Sequence, residues 1–106
     1  MATGKIFADF RNLVVTGKIT SGTISPDVIA EFNVTNAKIA AMSTPIILLT
    51  INNNTSYPDR TFRVVSTAQT STGLRVSVLQ DNGYQSDISL SNNRCIYYMV
   101  IDSSAL

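Results

Sequence analysis

The chain has 106 residues and a mass of 11.5 kDa, room for one domain with one core. Hydrophobic residues make up 44% and charged residues 14%, which excludes intrinsic disorder; the net charge of +1 comes from scattered lysines and arginines, which argues against a nucleic-acid footprint or a polybasic membrane patch. Histidine is absent and cysteine occurs once, at Cys95, so Ser-His-Asp and Cys-His catalysis, His-ligated metals, CxxC sites and an internal disulfide are excluded.

The apolar runs are only a few residues long, too short to span a membrane, and no signal-peptide pattern follows Met1. Thr, Val, Ile, Tyr and Phe are plentiful, while Glu31 is the sole glutamate, a composition that favours strands over helices. Residues 1–16 read as an N-terminal arm, with a short strand at 13–16 stopping at Gly17, and residues 17–106 as the β domain. Residues 18–25 (KITSGTIS) form a weak strand, closed by Pro26, which lacks an N–H for the ladder. The segment 28–34 (VIAEFNV) alternates cleanly, with Val28, Ala30, Phe32 and Val34 on one face. Thr35-Asn36 then offers an N-cap for a single helical turn over 37–42.

Residues 46–51 (IILLTI) are apolar on nearly every position, as in a strand buried on both faces. A polar loop, 52–60, leads to a strand over 61–67, with Phe62, Val64 and Ser66 on one face. Residues 70–73 (TSTG) form a hairpin turn, and 74–80 (LRVSVLQ) alternate, with Leu74, Val76 and Val78 pointing in and Arg75 and Ser77 out. Residues 81–93 read as turn and loop with a short strand at 87–90, and 94–102 (RCIYYMVID) as a last strand apolar on both faces. Short strands separated by turns predict an all-β, antiparallel sandwich or barrel. A two-layer sandwich covers one face of each sheet. Two strands apolar on both faces therefore call for a partner subunit, placing Ile46, Leu48, Ile96, Tyr98 and Val100 at a subunit interface.

The order of these segments resembles the H-type lectin-like fold of snail agglutinins, discoidin lectins and phage tail-fibre tips. The matching residues are Thr23, Phe32, the small-residue stretch 37–41, Pro45 with 46–51, Phe62-Arg63-Val64, the 70–73 turn with 74–78, and 96–101. The resemblance covers about residues 18–102. Where the family's last strand carries a Trp followed by a small residue, this chain has Tyr97-Tyr98. The resemblance implies a six-stranded antiparallel β-sandwich assembling as a homotrimer, with sugar or receptor sites near the loops. It implies a non-enzymatic virion protein, made in the host cytoplasm, of the phage tail-fibre type, that attaches to host-surface carbohydrate. The alternative is a purely structural virion protein, such as a fibre, collar or capsid-decoration subunit, that contacts other virion proteins and has no glycan ligand.

Glycan cleavage needs two carboxylates at a fixed separation. Asp59, Asp81 and Asp87 instead occupy ordinary turn positions, and no catalytic residue, metal ligand set or cofactor is expected. Asn52, Asn53, Asn54 and the loop aspartates have no calcium-loop pattern and read as solvated. Cys95 reads as a buried, inert thiol. The Asn-X-Thr stretches at Asn33 and Asn53 read as incidental. Tyr57 and Tyr84 lie among amides and carboxylates in polar loops, where a planar ring can stack on a sugar or simply anchor its loop. The two loops flank the 61–80 hairpin, so Tyr57, Asp59, Asp81 and Tyr84 are the candidate ligand-binding residues. Arg63 and Arg75 are expected near one another on the outer face of that hairpin, within reach of Glu31, a neighbouring subunit or a ligand's acidic group.

Overall fold

A computed structural model describes residues 14–54, 61–81 and 86–105. Among the described residues the fold is all-β and antiparallel, with a single turn of α-helix. The first strand, β1 (Val14–Ile19), pairs with β8 (Arg94–Asp102), which in turn pairs with β4 (Pro45–Asn53), giving the order β1-β8-β4. A second sheet has the order β3-β6-β5, from β3 (Ala30–Thr35), β6 (Gly73–Gln80) and β5 (Phe62–Gln69). A two-residue pair, β2 (Thr23–Ile24) with β7 (Ile88–Ser89), completes the framework. Both three-stranded sheets and the short pair contribute to one buried cluster, including Val15, Ile96 and Val100 from the first, Phe62, Leu74, Val76 and Val78 from the second, and Ile24 and Ile88 from the third.

Three expectations from the sequence change. β1 does not stop at Gly17 but continues to Ile19, so the arm drawn as 1–16 overlaps it at 14–16; residues 1–13 lie outside the described residues. Gly17 stays in the ladder because the Tyr98 ring of β8 occupies the place of its missing side chain; a Cβ there would collide with the phenol. Of the 18–25 stretch, only Thr23–Ile24 otherwise pairs as a strand. Strand β3 begins at Ala30, and Val28, expected to face inward, is 57% exposed. Phe32 and Val34 do pack against the core, in register with Val76 and Leu74.

The helical turn α1 (Ala37–Ala40) starts as its sequence dictates. The Asn36 side chain accepts from Lys38 N (3.0 Å) and Ile39 N (3.1 Å), and Ile39 is driven into the core. Four residues cannot hold a helix unaided, and its far end is tied down from β5. Gln69 Nε2 donates to the carbonyls of Ile39 (2.8 Å) and Met42 (2.7 Å) and, more weakly, Ala40 (3.3 Å). Gln69 faces inward because β5 carries a bulge between Val64 and Ser66. Before the bulge Phe62 and Val64 sit opposite Gln80 and Val78; after it Thr67 and Gln69 sit opposite Val76 and Leu74. Ser66, expected on the face of Phe62 and Val64, is therefore on the other face, across from Ser77. The hairpin closes at 70–73 with mutual backbone bonds between Thr70 and Gly73. Gly73 has φ +155°, and a side chain there would strike the Val34 carbonyl.

Candidate functional site

Alternation decides what the β1-β8-β4 sheet shows to solvent. Paired residues in an antiparallel ladder share a face, and successive residues change face. Ile96, Tyr98 and Val100 point inward, together with Ile47, Leu49 and Ile51 of β4. Ile96 and Val100 are fully buried within the chain's own core, which corrects their placement at a subunit interface; Tyr98 is half-buried, its ring against Gly17. The residues that face outward from β8 are Tyr97, Met99 and Ile101. With 41% of Ile46, 51% of Leu48, 41% of Tyr97 and 39% of Met99 exposed, this is an apolar sheet face open to solvent. The sequence hid the phase of β8 because both of its faces are apolar. The signal lay in its neighbours: Thr16, Lys18 and Thr50 are the polar residues paired with Met99 and Tyr97, and they mark the outward face.

The face is dished. Its centre is an open hollow of about 580 Å³, with Thr16, Lys18, Leu48, Thr50, Tyr97 and Met99 around a floor at Gly17, Leu49 and Tyr98. The lining combines aliphatic, thioether and aromatic groups with the hydroxyls of Thr16, Thr50, Tyr97 and Tyr98 and the Lys18 ammonium. Beyond Tyr97 the face closes. Cys95 is fully buried there, with Asn52 Nδ2 at 4.0 Å from its sulfur and the sulfur 3.8 Å from the Asn92 carbonyl oxygen.

The second candidate site is at the open end of the β5–β6 hairpin. Of its expected residues, Tyr57, Asp59 and Tyr84 lie outside the described residues. Asp81 is described, and it acts as a clasp. Its backbone N–H donates to the Thr61 carbonyl (3.0 Å), one carboxylate oxygen accepts from Thr61 Oγ1 (2.6 Å), and the other lies 3.6 Å from Arg63 Nη1. The residues flanking segments 55–60 and 82–85 are thereby joined side by side, opposite the 70–73 turn. Arg63 is not beside Arg75: it sits across from Leu79, and Arg75 across from Ala68 and Asn33, with the Glu31–Ser77–Ser66 row between them. Next to the clasp, buried Gln80 donates through Nε2 to the carbonyls of Ile24 (2.8 Å) and Ser86 (2.9 Å), tying this end to the β2–β7 pair.

The opposite end carries an acidic group of different character. Asp102, buried at the end of β8, accepts from the backbone N–H of Ser43 (3.1 Å), Thr44 (3.3 Å) and Ser104 (3.1 Å), and from the hydroxyls of Thr44 (3.3 Å) and Ser104 (2.9 Å). Burial alone would raise its pKa. The hydrogen bonds from Ser104, Ser43 and Thr44 outweigh that and bring it from 3.8 to about 2. This carboxylate fastens the chain after β8 to the chain before β4. Among the described residues, no three of His, Cys, Asp and Glu gather as metal ligands do, and no helix is long and apolar enough to cross a membrane.

No protein-family model matches the chain, and comparison with curated proteins and with solved structures found no match.

Proposed function

We propose that this chain is a non-enzymatic, trimeric β-sandwich domain of the H-type lectin-like kind, carried on a phage virion as a tail-fibre-type head that attaches to host-surface carbohydrate. One observation carries the reading: a sheet face bearing Ile46, Leu48, Tyr97 and Met99 stays open to solvent in a single copy. Apolar surface of that kind marks a contact surface, and in a head domain the contact is with further copies. The placement of the ends supports a head. Val14 and Asp102 lie at one end of the β1-β8-β4 sheet, and Asn54, which leads into segment 55–60, lies at the other. A domain rooted at the first end presents the second to a receptor. Three shallow sites, each weak alone, gain strength through avidity.

A second reading, a structural virion subunit without a glycan ligand, draws on the state of Asp81. Both of its carboxylate oxygens are engaged by Thr61 and Arg63, so its first role is to hold the hairpin end. A glycan array probed with the purified chain and with Tyr84→Ala separates the two readings. The receptor-binding reading expects defined glycan signals that Tyr84→Ala removes while the trimer persists. A trimer blank on every glycan supports the structural subunit and ends the lectin reading.

A further inference from the structure

Resting on the carbohydrate-attachment reading, we infer that the outer face of the β3-β6-β5 sheet is a second glycan-contact site, which takes a carboxylate-bearing sugar on Arg75. The outward residues of this sheet alternate with the core set Phe32, Val34, Leu74, Val76 and Val78. Register places Asn33, Arg75 and Ala68 on one outward rung and Glu31, Ser77 and Ser66 on the next. Both three-stranded sheets send their inner residues into one core, so their outer faces look away from each other. One of those faces is apolar. The other carries a guanidinium, a carboxamide, a carboxylate and hydroxyls, and contact between copies through the apolar face leaves it open.

Arg75 is set apart from the other arginines. Among the described residues, Arg63 is bridged to Asp81 and Arg94 donates to Asn53, whereas Arg75 has neither a hydrogen bond nor an ion pair. It is half-buried on the central strand, with the small residues Gly73 and Ser77 two places to either side and Ala68 across from it. Such a guanidinium keeps its planar fork for the two oxygens of a ligand carboxylate. Glu31 decides which anion. It lies diagonal to Arg75 on the next rung, roughly 7–8 Å away at the usual sheet spacing, a span that one sugar ring covers. Its exposed carboxylate accepts from hydroxyls but repels a phosphate or sulfate, whose oxygens are charged on every open edge. A uronic or nonulosonic acid suits both groups, with its carboxylate on Arg75 and its ring hydroxyls donating to Glu31 and the Asn33 side-chain carbonyl. The face runs along the flank of the domain, so an acidic polysaccharide lying there reaches several copies at once.

Titration of the purified chain with oligogalacturonate, its methyl ester, a sialyl oligosaccharide and dextran sulfate tests the site. At least one of the two carboxylated probes should bind, and the uncharged methyl ester should not. Arg75→Gln should weaken that binding about tenfold or more, the worth of a charge-assisted pair. Asn33→Asp, at an exposed position on the same rung, gives Arg75 a carboxylate of its own and should weaken binding likewise, with an unchanged circular-dichroism spectrum. Lys38→Gln removes the same charge from the exposed helical turn and should leave binding within about twofold. Binding that needs Arg75 and survives Tyr84→Ala supports the sheet-face site over the loops. Carboxylated probes that do not bind, or that bind Arg75→Gln and Asn33→Asp as well as wild type, overturn it. So does an equal loss in Lys38→Gln, or dextran sulfate bound as tightly as the carboxylated probes, since either result is attraction by bulk charge. Neutral glycans still bound on the array then leave the carbohydrate reading standing, and a chain blank on every glycan, acidic or neutral, ends both.

Discussion

Gly17 and Asp102 show how much a single position can determine. Gly17 has no side chain because the Tyr98 ring already fills that space. Gly17→Ala must push the ring aside, and the expected loss is about 1–3 kcal/mol in urea melts, the usual cost of overpacking. Gly17→Ala paired with Tyr98→Leu should recover part of that loss, because the shorter side chain leaves the space free. Asp102 makes a prediction in pH. Its folded pKa of about 2 lies below its ordinary 3.8, so the folded state favours the ionised form. The stability this supplies is complete above about pH 4 and drains away as pH falls from there through 2. Urea melts at pH 5, 4, 3 and 2 should show this decline. In Asp102→Asn the share of the decline due to this group should vanish, at the expense of lower stability at pH 5, since an amide cannot accept from five donors.

At the scale of elements, β5 makes the sharpest case. The bulge at Val65 turns Gln69 inward, and Gln69 closes the end of α1. Gln69→Leu should cost about 1–3 kcal/mol, because buried carbonyls lose their donor. Hydrogen exchange should localise the effect as faster exchange in residues 40–42. Val65→Lys, at an exposed bulge position, should change stability by less than about 0.5 kcal/mol. The same element shows where the sequence stops being legible. Phe62 and Val64 announce a strand and its inward face, but nothing in FRVVSTAQ says that the phase slips between Val64 and Ser66; the slip follows from pairing with β6. The 70–73 turn and the inward set Leu74, Val76 and Val78 were readable, because Gly and strict alternation act locally. Gly17 reads as a strand end in the sequence because only the tyrosine across the ladder explains it. The phase of β8 is undecidable from CIYYMVI alone, so nothing local marks Ile96 and Val100 as core residues. Asp81 was readable as a loop residue, but its pairing with Arg63 depends on hairpin register.

For the whole molecule, the trimeric reading makes folding and assembly one equilibrium. The melting temperature should then rise with protein concentration, because association stabilises only the folded chain. A melting temperature that stays constant over a hundredfold concentration range counts against assembly. Where the chain enters and leaves also has a mechanical side. Val14 pairs with Ile101 in an antiparallel ladder, so the two strand ends that lead away from the sheet lie side by side. A pull between them bears on one rung at a time, beginning at Val14–Ile101, and peels β1 from β8 like a zip, because the ladder's bonds run across the strands. A pull between Val14 and the far end, near Asn54, draws β1 lengthwise past β8 and loads all the rungs together. The domain is thus a soft fuse to a tug between Val14 and Ile101 and a stiff strut to a tug between Val14 and Asn54.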